Sequence, residues 1–182
     1  MKVPERLAWT IDRLGIAGHE TVLEIGGGRG IAAALALSKL TSGRLVGIDR
    51  SETAIAAART LNAVDERAGR LRLIHGAIED FDAGAERFDI VFAINVNLFW
   101  IDASAALKNI RGMLRPGGRL VLTCEPPSPS QVESIGAKFR TNLEMGGWQV
   151  QRIEEADRAS LLSVIAIPDR QVPIQFGDAI LT

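Results

Sequence analysis

Tyrosine is absent from this chain, cysteine occurs once and histidine twice among 182 residues. Without tyrosine there can be no Tyr–Lys catalytic pair. The lone Cys124 rules out an internal disulfide, which suits a reducing compartment. One thiol and two imidazoles, His19 and His75, are too few for a zinc site of the usual ligand types, so no metal is expected. Neither sign of charge is in surplus. At a net charge of −1 no nucleic acid is expected as a partner, because phosphate backbones are bound through excess Lys and Arg. No apolar run reaches the roughly 18 residues of a membrane span. Met-Lys-Val-Pro-Glu-Arg is followed by no apolar signal core. The expected location is cytoplasmic, with no membrane partner.

What is present is an ordinary soluble composition, 47 % hydrophobic and 24 % charged, long enough to bury a full core. Short apolar, β-branched runs alternate with helical patterns from end to end, which predicts an α/β protein with a doubly wound, mostly parallel sheet and helices on both faces. A first helix is predicted over residues 4–14, opened by Pro4 and ended by Gly15. Strands are predicted at about 21–25, Arg44–Asp49, Leu71–His75, Phe88–Ile94 and Arg119–Cys124. Between them come an Ala/Leu-rich helix to about residue 40, an alanine-rich helix from the N-cap Ser51 to about Asp65, and a helix from Asp102 to Leu114. Arg115-Pro116-Gly117-Gly118 reads as a tight turn. Ser130-x-x-Glu133 has the form of a capping box for a helix that Gly146-Gly147 stops. Two last strands, about 148–153 and 160–167, are too close for a crossover helix and must be antiparallel. Residues 1–167 are expected to form one domain, and 168–182 an extended tail.

The most informative stretch is Thr21 to Gly30, Thr-Val-Leu-Glu-Ile-Gly-Gly-Gly-Arg-Gly. Strand, glycine turn and helix give a backbone that can approach a nucleotide-like ligand against a helix N-terminus. A dinucleotide fingerprint G-x-G-x-x-G would need a glycine at 31, where Ile31 stands. In a doubly wound sheet the ligand sits beyond the carboxyl ends of the strands, where Gly26, Asp49, Gly76, Asn95 and Glu125 converge. Asp49 ends its strand 19 residues after Gly30, where an acid can accept hydrogen bonds from both hydroxyls of a ribose. Glu24 lies inside a strand, where a carboxylate is costly unless paired or hydrogen-bonded.

Glu24-x-Gly26-x-Gly28-x-Gly30 resembles motif I of the class I S-adenosylmethionine (SAM) dependent methyltransferases. Phe88–Asn95 and Leu114–Leu120 are similar to that family's fourth strand and the turn into its fifth, so the resemblance covers about residues 20–125. It implies a Rossmann-like seven-stranded sheet in the order 3-2-1-4-5-7-6, with strand seven reversed. It also implies SAM as cofactor and S-adenosylhomocysteine as product. The glycine loop (Gly26, Gly27, Gly28, Gly30) would underlie the methionine and ribose portion. Glu24 would support the loop and the methionine end, and Asp49, with Arg50 next to it, the ribose. The family's adenine-binding Asp aligns with Ala77, which leaves adenine to backbone amides and Ile78, with Glu79 or Asp80 as substitutes. Asn95 completes the cofactor set.

Catalytic residues are not identifiable; Asn95, Asn97 and Glu125 are the substrate-facing candidates, with Phe99 and Trp100 nearby. The last two serve equally well as packing. Trp9 reads as a staple for the first helix more than as a lid, Cys124 as core, and His19 as a turn residue. A sulfonium already carries an electrophilic methyl group, so orientation can suffice and a dedicated base is optional. The chain lacks the Asn/Asp-Pro-Pro-Tyr and Pro-Cys signatures of nucleobase and glutamine methylation, so a small-molecule acceptor is the leading expectation. Part of the pocket would then come from the first helix, the tail or a second subunit, as in a homodimer. A SAM-binding sensor or scaffold without transferase activity is the alternative, and a nicotinamide oxidoreductase is third.

Overall fold

The computed structural model describes residues 3–156 and 160–169. In chain order the elements are α1 (Glu5–Arg13), β1 (Thr21–Ile25), α2 (Ile31–Lys39), β2 (Arg44–Asp49), α3 (Glu52–Leu61), α4 (Ala63–Arg67) and β3 (Leu71–His75). These are followed by β4 (Phe88–Ile94), α5 (Leu98–Ile101), α6 (Ser104–Met113), β5 (Leu114–Cys124), α7 (Val132–Met145), β6 (Trp148–Glu155) and β7 (Leu162–Pro168). All seven strands join one sheet in the order β3-β2-β1-β4-β5-β7-β6, parallel except where β7 runs against β5 and β6. The order is the one the methyltransferase resemblance implies, and the reversed strand is the one expected from the short last connection. Among the described residues no helix is long and apolar enough to cross a membrane, and no cluster of His, Cys, Asp and Glu could hold a metal ion.

Strand alternation sorts the core into two layers. On one face Val22, Leu45, Ile90 and Phe92 pack against Ile11 and Leu14 of the α1 end, the alanines of α2, and Ile55 and Ala58 of α3. On the other, Leu23, Ile48, Val91 and Leu122 meet Phe99, Leu107, Ile110 and Phe139 from α5, α6 and α7. The same alternation puts Glu24 on the α2/α3 face, beside Gly47 in the β1–β2 register. Its side chain is therefore buried under the glycine loop.

Several local expectations are corrected. The helix from Ser51 to Asp65 is two helices. Ser51 does cap the first, accepting from the Ala54 N–H, but Asn62 interrupts the run. Asp102 stands one residue outside the cap of α6 and accepts from the Ser104 N–H and hydroxyl. The Ser130–Glu133 capping box does not form: Ser128 caps a 3₁₀ turn at Pro129–Gln131, and α7 follows with no side-chain cap. Arg115–Gly118 lies within β5, where pairing jumps from Phe88–Leu114 to Ile90–Arg119 and the intervening residues bulge out. Of the predicted tail, 170–182 lies outside the described residues, as does 157–159 of the last hairpin.

Candidate active site

The chain turns sharply after β1. The Gly26 N–H reaches the Ile48 carbonyl at 2.8 Å and the Gly28 N–H reaches Oδ2 of Asp49 at 2.8 Å, so β2 holds the loop at both positions. Gly26 adopts φ +70°, and a Cβ there would lie 2.5 Å from Cγ2 of Val96; only glycine fits. Gly28 also has positive φ, at +54°, but a Cβ there would meet nothing. The loop is thus closed against the segment that follows β4 at one residue and open to a cavity at another. Asn62, 3 % exposed, donates from Nδ2 to the carbonyls of Gly30 and Ala58, both at 3.0 Å, and so fastens the far end of the loop to α3.

Two cavities meet at Gly26. The first, about 250 Å³, lies over the ends of β1, β2 and β3 and has Ile48, Asp49, Arg50, Ile78 and Leu98 in its wall. Asp49 accepts from Gly28 with Oδ2 and from the Ser51 N–H with Oδ1, both at 2.8 Å, which fixes the carboxylate at the cavity's lip. Arg50 pairs with Glu79 at 2.5 Å, and His75 Nε2 meets the Arg50 carbonyl at 3.0 Å. Asn109 donates to the carbonyls of Ile78 and Phe81 at 2.7 and 2.8 Å, pinning the segment that carries Ile78. Gly76 and Ile78 line this cavity; Ala77 between them does not.

The second cavity, about 260 Å³, lies between α1 and the glycine loop, with Pro4, Arg6, Glu24, Arg29 and Asn95 in its wall. Glu24 is 3 % exposed, and its Oε2 has no hydrogen-bond partner among the described residues. Burial first, and the Asp49 charge second, push its pKa up to about 8. Asn95 has φ +57°, a left-handed conformation that asparagine tolerates. Its Oδ1 accepts from the Glu125 N–H at 2.7 Å, tying together the ends of β4 and β5. Glu125 itself pairs with Arg6 at 2.9 Å, a contact between residues 119 apart in sequence.

The structure therefore brings together Glu24, Gly26, Gly27, Gly28, Asp49, Arg50, Ile78 and Asn95 around two adjoining cavities. Gly30 is buried at the foot of α2, in contact with Asn62. Asn97 is exposed at the start of α5 and lines neither cavity. Phe99 and Trp100 are packing residues. Phe99 is 1 % exposed, and Trp100 sits edge-on to Phe139 with ring centroids 5.5 Å apart. Trp9 lies under the Arg13 guanidinium at 3.7 Å, outside both cavities. Cys124 is buried core as expected, its thiol pushed up to about 12 by burial. Sequence reasoning missed Arg6, Arg29, Asn62 and Asn109. Of these, only Arg29 carried a local signal, its place inside the glycine motif.

Comparison with known proteins agrees with this architecture. The stretch 22–118 matches the family model for the methyltransferase domain. An uncharacterized methyltransferase, YdaC, of Bacillus subtilis (strain 168) is 32 % identical over 162 residues, 87 % of each chain. A trans-aconitate 2-methyltransferase of Acidovorax ebreus (strain TPSY) is 28 % identical over 176 residues. That match takes in 93 % of this chain but 64 % of the relative. Among solved structures the CcbJ methyltransferase from Streptomyces caelestis superposes with a TM-score of 0.71 at 15 % identity, over 90 % of this chain and 89 % of that one. The last likeness shows the fold alone. With the family model spanning more than half of the sequence and a relative matched nearly end to end, the chain belongs to the class I SAM-dependent methyltransferases.

Proposed function

We propose that this enzyme binds SAM across the two cavities and transfers its methyl group to a small-molecule acceptor. The observation that carries the reading is Glu24, a buried acid whose Oε2 lacks a donor among the described residues, in the wall beside the glycine loop. A buried polar atom without a partner is costly, and an ammonium group is the donor that would meet it. The rest of the site fits the same molecule. Space is open beyond Gly28, where a Cβ would touch nothing. Asp49 keeps lone pairs beyond the two amides it accepts, which suit ribose hydroxyls. Ile48, Ile78 and Leu98 offer apolar walls for a flat ring, and Glu79, which follows Ile78 in the chain, is held by Arg50.

In this reading Glu24 and the loop hold the methionine half, Asp49 the ribose, and Ile78 the adenine, with Asn109 fixing the height of the Ile78 segment. SAM supplies an electrophilic methyl carbon. The protein's part is to align the acceptor with the carbon–sulfur bond and to exclude water, which is worth several kcal/mol of barrier as an order of magnitude. A small acceptor is supported by the near-neutral net charge of −1, which supplies no cationic surplus for a polyanion. It is supported too by relatives named for trans-aconitate and for ubiquinone biosynthesis, although this chain spans only 64 % and 42 % of their lengths.

Calorimetric titration with SAM, S-adenosylhomocysteine and NAD tests the cofactor, and methyl-labelled SAM with a metabolite extract tests transfer. Binding of the first two with labelled product is expected. NAD binding without SAM binding overturns the reading, and SAM binding without any product returns the chain to a sensor or scaffold.

A further inference from the structure

The cavity between α1 and the glycine loop carries unbalanced positive charge. Arg29 lines it, is exposed, and has no ion-pair partner among the described residues. Arg6 also lines it, but Glu125 already neutralises that guanidinium. Glu24 is the acid in this wall, and its burial keeps it protonated up to about pH 8. Asn95 turns its Oδ1 to the Glu125 N–H, which leaves the amide NH₂ without a partner among the described residues. The wall thus presents one free guanidinium and one free amide donor, beside an orphaned buried oxygen. With SAM bound and Glu24 ionised against its ammonium, Arg29, the sulfonium and the ammonium face two carboxylates, those of Glu24 and of SAM itself, and one positive charge is left over. An anion is the missing component.

The acids and bases around the site point the same way. Glu125 is held by Arg6, Glu24 is taken up by the SAM ammonium, and Asp49 accepts two backbone amides. His75 is engaged with the Arg50 carbonyl. A nucleophile that arrives already ionised asks none of these groups to take a proton.

We propose that the methyl acceptor is a carboxylic acid, gripped through a carboxylate by Arg29 with the Asn95 amide beside it, and methylated on a carboxylate oxygen. The proposal rests on the methyl-transfer reading above. Guanidinium and carboxylate match in a forked, charge-assisted pair, a geometry that lysine cannot reproduce. In the step itself the carboxylate oxygen bonds to the methyl carbon as the carbon–sulfur bond breaks. The electron pair of that bond stays on sulfur, leaving a neutral thioether and a neutral methyl ester, and no proton moves. A di- or tricarboxylic acid would let Arg29 hold one carboxylate while another reacts.

The test gives the wild-type protein methyl-labelled SAM and a metabolite extract in two portions, one stripped of acids on an anion-exchange resin. Label is expected in the unstripped portion only, in a product that releases labelled methanol in mild alkali, as a methyl ester does. Label that survives stripping or resists alkali overturns the proposal, as does no transfer by protein that calorimetry shows to bind SAM. Failure to bind SAM in that calorimetry instead removes the methyl-transfer reading itself. Arg29→Met, titrated with the identified acid in the presence of S-adenosylhomocysteine, is expected to bind it at least about tenfold more weakly, with Arg29→Lys recovering part. Its affinity for SAM is measured alongside and is expected to fall by much less than its affinity for the acid. A parallel loss of SAM affinity would assign Arg29 to the cofactor's own carboxylate and overturn the proposal.

Discussion

Glu24 and Asp49 lie on neighbouring strands and press on the same glycine loop, yet only Asp49 is satisfied by it. Asp49 accepts the Gly28 N–H at 2.8 Å, whereas Glu24 has its carboxyl carbon where a Cβ on Gly27 would come within 3.0 Å, and no donor for Oε2. Two acids so close in a buried site do not ionise together without cost, and the buried one, Glu24, holds its proton to about pH 8.

The first prediction is a stability profile. The folded pKa of Glu24 is raised to about 8 from 4.5, so between those values the folded protein binds more protons than the unfolded chain. Stability from this group is therefore fully present below about pH 4.5 and is lost as pH rises through 8. Urea unfolding at pH 5, 7 and 9 should show wild type losing stability, on the order of a few kcal/mol at most, relative to Glu24→Gln. Parallel profiles for the two proteins would mean that Glu24 ionises normally.

Ligand binding should release that proton. If an ammonium group meets Glu24, the carboxylate form is favoured and the proton leaves as the ligand enters. Titrations with SAM at pH 7 in buffers of different ionisation enthalpy should reveal release of up to one proton, with affinity rising from pH 6 to 8. Glu24→Gln should lose both effects. Buffer-independent heats in wild type would remove Glu24 from the cofactor site.

Asp49→Asn keeps one acceptor oxygen but gives up the charge that two backbone amides and the proposed ribose contact share. SAM affinity should fall at least about tenfold, roughly 1.4 kcal/mol. Thermal unfolding of the unliganded variant separates a loop that has come loose from a contact that is lost. Unchanged affinity in Asp49→Asn would exclude the ribose role.

The strands and the antiparallel last pair were legible because each strand is a short apolar run and the intervening lengths allow crossovers everywhere but the last hairpin; the strand order came from the resemblance to the methyltransferase family. Asp49 and the glycine loop were legible for a related reason: their place at strand ends is set by local sequence. What stayed hidden depends on the folded chain. Asn62 reads as one more residue in a periodic alanine-rich helix until its side chain is seen reaching back to Gly30. Ser130 reads as a cap until Ser128 takes that place. Arg6 and Glu125 are 119 residues apart, and no local pattern joins them. Phe99 and Trp100 could equally have faced substrate or core; the α7 packing through Phe139 decided for core.

Gly26 is the loop position with least tolerance. Alanine there would meet Val96 Cγ2 at 2.5 Å and would also hold a left-handed φ of +70°. Gly26→Ala should destabilise the fold and abolish SAM binding. Adding Val96→Ala removes the clash but leaves the backbone penalty of about 1–2 kcal/mol, so the double variant should recover only part of the stability. Full recovery would mean that the backbone conformation carries no cost at this site.

Asn62 offers a test in which charge and hydrogen bonding pull apart. Its Nδ2 is buried between two carbonyl oxygens, those of Gly30 and Ala58, each at 3.0 Å. Asn62→Ala deletes two donations, at about 0.5–1.5 kcal/mol each, while the Gly30 and Ala58 carbonyls keep the backbone N–H groups of Ala34 and residue 62. Asn62→Asp is nearly the same size but replaces the donor with a carboxylate facing two carbonyls. Near pH 7 it should be less stable than the alanine variant, even though it fills the space that alanine leaves empty. Lowering the pH until that carboxyl is protonated restores one donor, so the aspartate variant should gain stability relative to alanine on acidification. Chemical denaturation of the three proteins at pH 7 and pH 5 gives the ordering. Equal stability of the alanine and aspartate variants at both values would mean that Asn62 fills space and does not hold the loop to α3.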